Sequence, residues 1–321
     1  GAVLAATGGW PAGVMATLCG ALPSRAGRSS VAWEQYLGSE VWANVPAEIR
    51  PSLRRVAVPT LVPVALGHQI LGRGAWAALT SWLAGYDFLV EHLEDDALRI
   101  NPLLRDFLWS EFERTDAPGF ESTVAAVVTY LECEGELADA IEVARRARHV
   151  ECLLDVIRRH GRGLLVQGAF QLLRRACDDI PTNILQGNPL LDAMHARVLA
   201  HTGRPGEALD AVDDILAQDL APREAKIHAL LAKYRALRLL GRPDQLQAIF
   251  DEARKLGASE DDGLTAELRY HEAHLSLALD SDFDHAADLL REAIALCHEG
   301  ASSTLELLAR STLGQLFAMK G

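Results

Sequence analysis

His271 and His274 lie three residues apart in the run AELRYHEAHLSLAL, with Glu267 four residues before His271. On a helix the three share one face, a spacing that could bring imidazole and carboxylate groups to one metal ion. No second ligand-bearing segment can be placed beside them, so a complete coordination shell is not expected. The histidines read instead as partly buried polar positions on the inner helix of a repeat. Arg145, Arg146, Arg158, Arg159, Arg174 and Arg175 form adjacent pairs in three successive amphipathic stretches. Aligned on one surface, they could receive an acidic peptide, a phosphorylated ligand or an acidic neighbouring domain. The competing reading pairs them with Glu142, Asp155 and Asp178 at helical spacing, as solvated faces. Nowhere do serine, histidine and aspartate, or cysteine and histidine, fall into an arrangement for nucleophilic catalysis, and no pair of carboxylates can be assigned to a cleft. The chain is not expected to be an enzyme.

A further stretch has residue types suited to ligand contact. Residues 7–13 read TGGWPAG. The glycines let the backbone turn and approach a ligand, and Pro11 beside Trp10 offers a rigid apolar face with no competing N–H. Taken alone, the same letters describe an interhelical turn over a buried tryptophan. The phosphate-gripping pattern GxxxxGK[ST] occurs nowhere in the chain, so no cofactor is expected to be held by these residues alone.

The elements that must position these residues are helical. Leucine, alanine, arginine and glutamate dominate while aromatic residues are sparse, and 49% hydrophobic content over 321 residues suffices for a sizeable core. A net charge of −13 opposes binding to a phosphate backbone. Five cysteines, Cys19, Cys133, Cys152, Cys177 and Cys297, have no CxxC pair and suit buried thiols in a reducing cytoplasm. The uncharged start of the chain is interrupted by TGGWPAG before it reaches the roughly 20 apolar residues of a membrane span, so a cytoplasmic location without membrane contact is expected.

Along residues 31–45, Trp33, Leu37, Val41 and Val45 recur four apart as an amphipathic helix, and Pro46 opens a second short helix. Residues 61–71 and 75–83 read as two more. YDFLVEHL and ALRI then flank the acidic turn EDD as a β-hairpin. NPLLRDFLWSEFER follows, with Leu103, Leu104, Phe107, Leu108 and Phe112 on one helical face. Short helices, a hairpin and a closing helix describe a winged-helix domain over residues 31–115. It carries eleven acidic and seven basic residues, a net −4, with an acidic wing tip, so direct nucleic-acid binding is not expected.

Beyond residue 116 the turns repeat. Gly203-Arg204-Pro205 and Gly241-Arg242-Pro243 are identical and 38 residues apart. Glycine ends one helix in the left-handed region and proline starts the next, after which Ala208, Leu209, Val212, Ile215 and Leu216 form an apolar stripe. Gly135 with Ala140, and Ser281 with Ala286, repeat the offset. A period near 40 with two helices per unit is the mark of a TPR-like α-solenoid, with roughly five hairpins over residues 116–321. The fold class is mainly α: a winged-helix domain with a small β-hairpin, then a solenoid of helical hairpins.

TGGWPAGVMATLCGAL, NPLLRDFL and HGRGLLVQGAFQLLRRACDDIP, in that order, resemble segments of the MalT-like, LuxR-type transcriptional activators of the STAND class of ATPases. The resemblance implies that residues 1–30 end the nucleotide-binding region as part of its helical lid, with Trp10 and Pro11 at the adenine. At a winged-helix position where the family carries a histidine that reaches the ADP β-phosphate, this chain has Asn101, a neutral amide that can donate but not titrate. The resemblance also implies ATP or ADP in the intact regulator and a small-molecule inducer or protein partner on the solenoid. Nucleotide-binding and DNA-binding domains in the same protein, and possible self-association, are implied as well. The alternative is a free-standing TPR-type protein-interaction scaffold without nucleotide control.

Overall fold

The computed structural model describes residues 37–86, 89–93, 96–256, 262–279, 282–300 and 303–320. The expected lid segment over residues 1–30, with Trp10 and Pro11, lies outside them, as do Cys19 and Trp33. The chain divides into two compact units, Gly1–Cys152 and Leu153–Gly321.

The described residues of the first unit open with a π-turn at Leu37–Val41 and a 3-10 turn at Trp42–Asn44. A π-turn advances the chain five residues, so the structure buries Leu37, Trp42 and Val45 where a four-residue spacing predicts Val41. Helix α1 (Arg50–Val56) carries Pro51, not Pro46, in its first turn. Residues 61–71 are not helical throughout, because Val62 bridges Leu98 in an antiparallel contact and α2 spans Val64–Leu71. The cause is Pro63, which biases the residue before it toward extended backbone and sits at the cap with φ −61° and ψ 153°. Helix α3 (Arg73–Leu83) leads into β1 (Val90–His92), which pairs antiparallel with β2 (Leu98–Ile100) in the register Val90↔Ile100. With α4 (Pro102–Thr115) the order helix, bridge residue, two helices, wing and closing helix is complete.

Helix α4 buries Leu104, Leu108, Trp109 and Phe112. Phe120 of α5 (Ala117–Cys133) stands edge-on to both Trp109 and Phe112, with centroids at 5.2 and 5.6 Å. Arg146, in α6 (Leu137–Arg146), lies 4.2 Å over the Trp109 ring and 2.5 Å from Asp106. The first helical hairpin, α5 and α6, is thereby held on the closing helix of the wing.

Helix α7 spans Val150–Val166, followed by α8 (Phe170–Asp178), the short α9 (Thr182–Gln186), α10 (Pro189–His201) and α11 (Pro205–Leu216). Next come α12 (Arg223–Leu239), α13 (Leu246–Leu256), α14 (Asp262–Leu279), α15 (Phe283–Gly300) and α16 (Ser303–Lys320). The cores show why these helices stack. Ala193, Ala196, Val212, Ile215, Ala225 and Ala229 form one cluster from α10, α11 and α12. Leu230, Tyr234, Ile249, Phe250 and Leu275 form the next from α12, α13 and α14. A third joins α14, α15 and α16 through Ala273, Ala286, Leu290, Ala309 and Leu316. From α10 to α16, consecutive helices therefore share apolar faces, as solenoid stability requires.

Gly203 and Gly241 end α10 and α12 at φ 86° and 66°, the left-handed geometry the GRP turns call for. Gly203→Ala should destabilise the chain by about 1–2 kcal/mol through backbone strain alone, since nothing lies within 4 Å of the added carbon. Gly163, inside α7 and equally open, should show the opposite sign: alanine there stabilises by about 0.5–1 kcal/mol. Urea melts of the two variants check both signs.

Candidate functional site

The inner helices α10, α12 and α14 carry a polar seam through an otherwise apolar interior. Arg197 on α10 is 3% exposed. One of its terminal nitrogens lies 2.5 Å from Glu267 Oε1 on α14, and the other 3.0 Å from His228 Nδ1 on α12. An arginine only donates, so His228 Nδ1 must accept, which fixes the neutral imidazole with its proton on Nε2. Burial and then Arg197 hold the His228 pKa down to about 3. His201, stacked on Phe170 at 3.8 Å, is pushed down to about 4 by burial and by Arg197 and Arg235. Burial alone would raise the Glu267 carboxyl, but Arg197 and His271 more than offset it and hold it well below the usual carboxylate range.

The seam follows from helical spacing. Glu267, His271 and His274 face one way on α14, and Glu224, His228 and Arg235 one way on α12. His271 Nε2 is 3.7 Å from the same Glu267 oxygen, and its ring meets Tyr234 and Tyr270 at 4.8 and 5.3 Å. Arg197 Nε, His228 Nε2, Arg235 Nε and His271 Nδ1 are buried without a hydrogen-bond partner. Among the described residues no group of three or more histidine, cysteine or acidic side chains is close enough to hold a metal ion.

The other residues expected at a site are placed as follows. Asn101 caps α4, its Oδ1 accepting from Leu103 N–H at 3.0 Å. Arg145 and Arg146 lie in the first unit, on Glu142 at 2.9 Å and on Asp106. Arg158 and Arg159 in α7 both turn to Asp155, the first to its carboxylate at 3.3 Å and the second to its carbonyl at 3.2 Å. Arg174 meets Asp178 at 3.6 Å, with Arg175 beside it on α8. Cys177 and Cys297 are buried, whereas Cys133 is exposed. Arg197, His201 and His228 escape a reading of spacing, because they are scattered polar side chains within mainly apolar runs such as AMHARVLAH and KIHALLAKY.

A second polar feature occupies the opposite side of α10. Asp192, His195 and Leu199 face a cavity of about 380 Å³ bounded by α8, α9 and α11. No described helix is long and apolar enough to cross a membrane.

Residues 38–119 match the MalT winged helix domain family. The fold is similar to that of a Signal Transduction ATPase with Numerous Domains (STAND) protein with a tetratricopeptide repeat sensor from Pyrococcus horikoshii, at TM-score 0.56 and 11% identity. That similarity covers 92% of this chain and 51% of the other, so the chain spans about half the length of the protein it matches. No curated protein sequence matches the chain.

The histidines give acid sensitivity a sign. The folded pKa values of His201 and His228 lie below the unfolded 6.5, so the stabilisation they contribute is present above pH 6.5 and is lost as pH falls through about 4 for His201 and about 3 for His228. Between those limits unfolding should take up about two protons at His201 and His228, with a further share at His195 and His274, whose pKa values burial also lowers, measurable as the pH slope of urea-derived stability. Glu267→Gln, which leaves the Arg197 charge buried against a neutral amide, should cost about 3–5 kcal/mol in the same melts.

Proposed function

We infer that this chain supplies the winged helix and the sensor solenoid of a MalT-like STAND regulator. The solenoid receives a small-molecule inducer or a protein partner, and the winged helix passes the bound state on to a nucleotide-binding core within the same protein. Supporting this is the order of a MalT-type winged helix at residues 38–119 followed by stacked helical hairpins. ATP or ADP belongs to the intact regulator, with Trp10 and Pro11 facing the adenine. An inducer shifts such a switch only by binding one state more tightly than the other. A free-standing scaffold would share the solenoid but gives the winged helix no task.

The single observation that carries this reading is where the winged-helix arginines go. Arg50 and Arg54 lie over Trp42, at 5.5 and 5.0 Å, and Arg54 pairs with Glu111 at 3.2 Å. Arg55 donates to Ile70 O at 3.1 Å, and Arg105 to Ala57 O and Val58 O, each at 3.0 Å. Arg99 meets Glu91 and Arg114 meets Glu111. Among the described residues of this domain, Arg73 alone has no such partner. Helix α3, whose counterpart in a DNA reader enters the major groove, exposes Gly74, Ala75, Ala77, Ala78 and Ser81 around Arg73. A surface of small uncharged side chains suits contact with another protein surface and offers phosphates almost nothing.

Fluorescence anisotropy with labelled duplex DNA at low salt tests this. The expected result is no association up to roughly 100 µM chain, the weak end of non-specific binding. Micromolar binding that weakens steeply with salt would make the winged helix a DNA reader and overturn the proposal.

A further inference from the structure

The cavity between α8, α9, α10 and α11 holds a charge problem that the fold leaves unsolved. Five carboxylates line it: Asp178, Asp192, Glu207, Asp210 and Asp214. Arg204 forks onto Glu207 and reaches Asp178 at 3.8 Å, which accounts for two of them. Asp192, Asp210 and Asp214 have no ion pair or side-chain hydrogen bond to any described residue. Asp210 and Asp214 are exposed, one turn apart on α11, where water solvates them. Asp192 is different, being 6% exposed, and burial together with the neighbouring Asp214 raises its pKa. His195, one turn along α10 on the same wall, has a buried Nε2 that is also unpartnered.

A carboxylate that reaches water only through a cavity, beside another carboxylate and with no protein donor, destabilises a fold unless something in the cavity brings charge to it. The rest of the lining decides what that is. Cys177, Ile180, Leu185, Leu199 and Ala211 give the cavity apolar walls between its acidic positions. No three of the acidic, histidine or cysteine groups among the described residues approach closely enough to share one metal ion, so a bare cation cannot satisfy them together. A volume of about 380 Å³ accommodates a molecule of several heavy atoms. Positive charge carried at both ends of a short hydrocarbon chain meets all of these features at once.

We propose that this cavity binds a small aliphatic diamine. One ammonium is held by Asp192 with Asp214, the methylenes run over Ile180 and Leu185, and the second ammonium sits at the mouth with Asp210. The site deepens the sensor reading by naming an effector class, and rests on that reading for its consequence in the regulator, though not for the binding itself. Occupancy would brace α9 and α11 against α10, the helix whose other side carries Arg197.

Calorimetric titration of the chain with putrescine and with cadaverine at constant ionic strength tests the proposal, with magnesium chloride as the simple-cation control. The expected result is saturable binding with a sub-millimolar Kd, roughly the affinity of one well-placed ammonium on a carboxylate pair. Asp192→Asn should weaken it by at least about tenfold while leaving the unliganded chain as stable or more so, because a like-charge contact disappears. Asp214→Asn, at an exposed position where folding is not at risk, should weaken it in the same direction. Absence of saturable heat up to about 10 mM diamine overturns the proposal, as do variants that bind as tightly as the parent or magnesium that displaces the diamine at equal concentration. A chain that ignores diamines and also ignores duplex DNA loses this site and keeps its place as a sensor. DNA binding alongside diamine binding keeps the site and removes the switch.

Discussion

Arg197 on α10 reaches past its neighbour to Glu267 on α14 and touches His228 of α12 on the way. Removing a guanidinium from water costs several kcal/mol unless an anion and hydrogen-bond acceptors replace the lost hydration, and both replacements come from other helices. The α10–α14 segment therefore has a reason to stay stacked beyond its apolar area. A hairpin that drifted from its neighbour would expose alanine-rich faces such as Ala193, Ala196 and Ala229, which cost little. It would also strand a buried charge, which costs far more. Solenoids are held by nearest-neighbour contacts, and an ion pair that skips a helix makes three neighbours answer together.

The winged helix applies the same chemistry to a different end. Its arginines hold α1 against α4 and close the carbonyl ends of α1 and α2, so its cations are structural. Burial and the nearby Arg146 bring Arg105 down to about 10, still charged at neutral pH. A domain shape known for reading DNA is here left with an acidic wing and a recognition-helix position faced with alanine and glycine. In both units arginines hold helices in place through acids and carbonyls, and in the second unit Asp192, Asp210 and Asp214 are left at the cavity.

Much of this was legible in the sequence, for physical reasons that differ by element. The GRP turns announce left-handed glycines, and EDD between alternating runs announces the wing, because turn chemistry is local. The start of α2 was misplaced by three residues, since the constraint from Pro63 acts with a strand partner, Leu98, that lies far along the chain. The π-turn at Leu37–Val41 shifts burial from Val41 to Trp42, and no four-residue pattern can signal that. On α14 the Glu267–His271–His274 stripe was visible and read as partly buried polar positions, but its counter-charge, Arg197, lies 70 residues away and could not be placed beside it. Asp192 has no mark in the sequence beyond being an acid in the first turn of α10. Only the short α9, which opens a space beside α10, makes it a buried wall.

Cooperation among the three inner helices is the claim on which the sensing proposed for this solenoid rests. Hydrogen–deuterium exchange of the chain and its Glu267→Gln variant, under conditions where both stay folded, tests it most directly. The account predicts that amides of α10, α12 and α14 lose protection together, by a similar factor, when the Arg197 partner is neutralised. Faster exchange confined to α14, with α10 and α12 unchanged, would show that each hairpin stands on its own and that the buried arginine couples nothing.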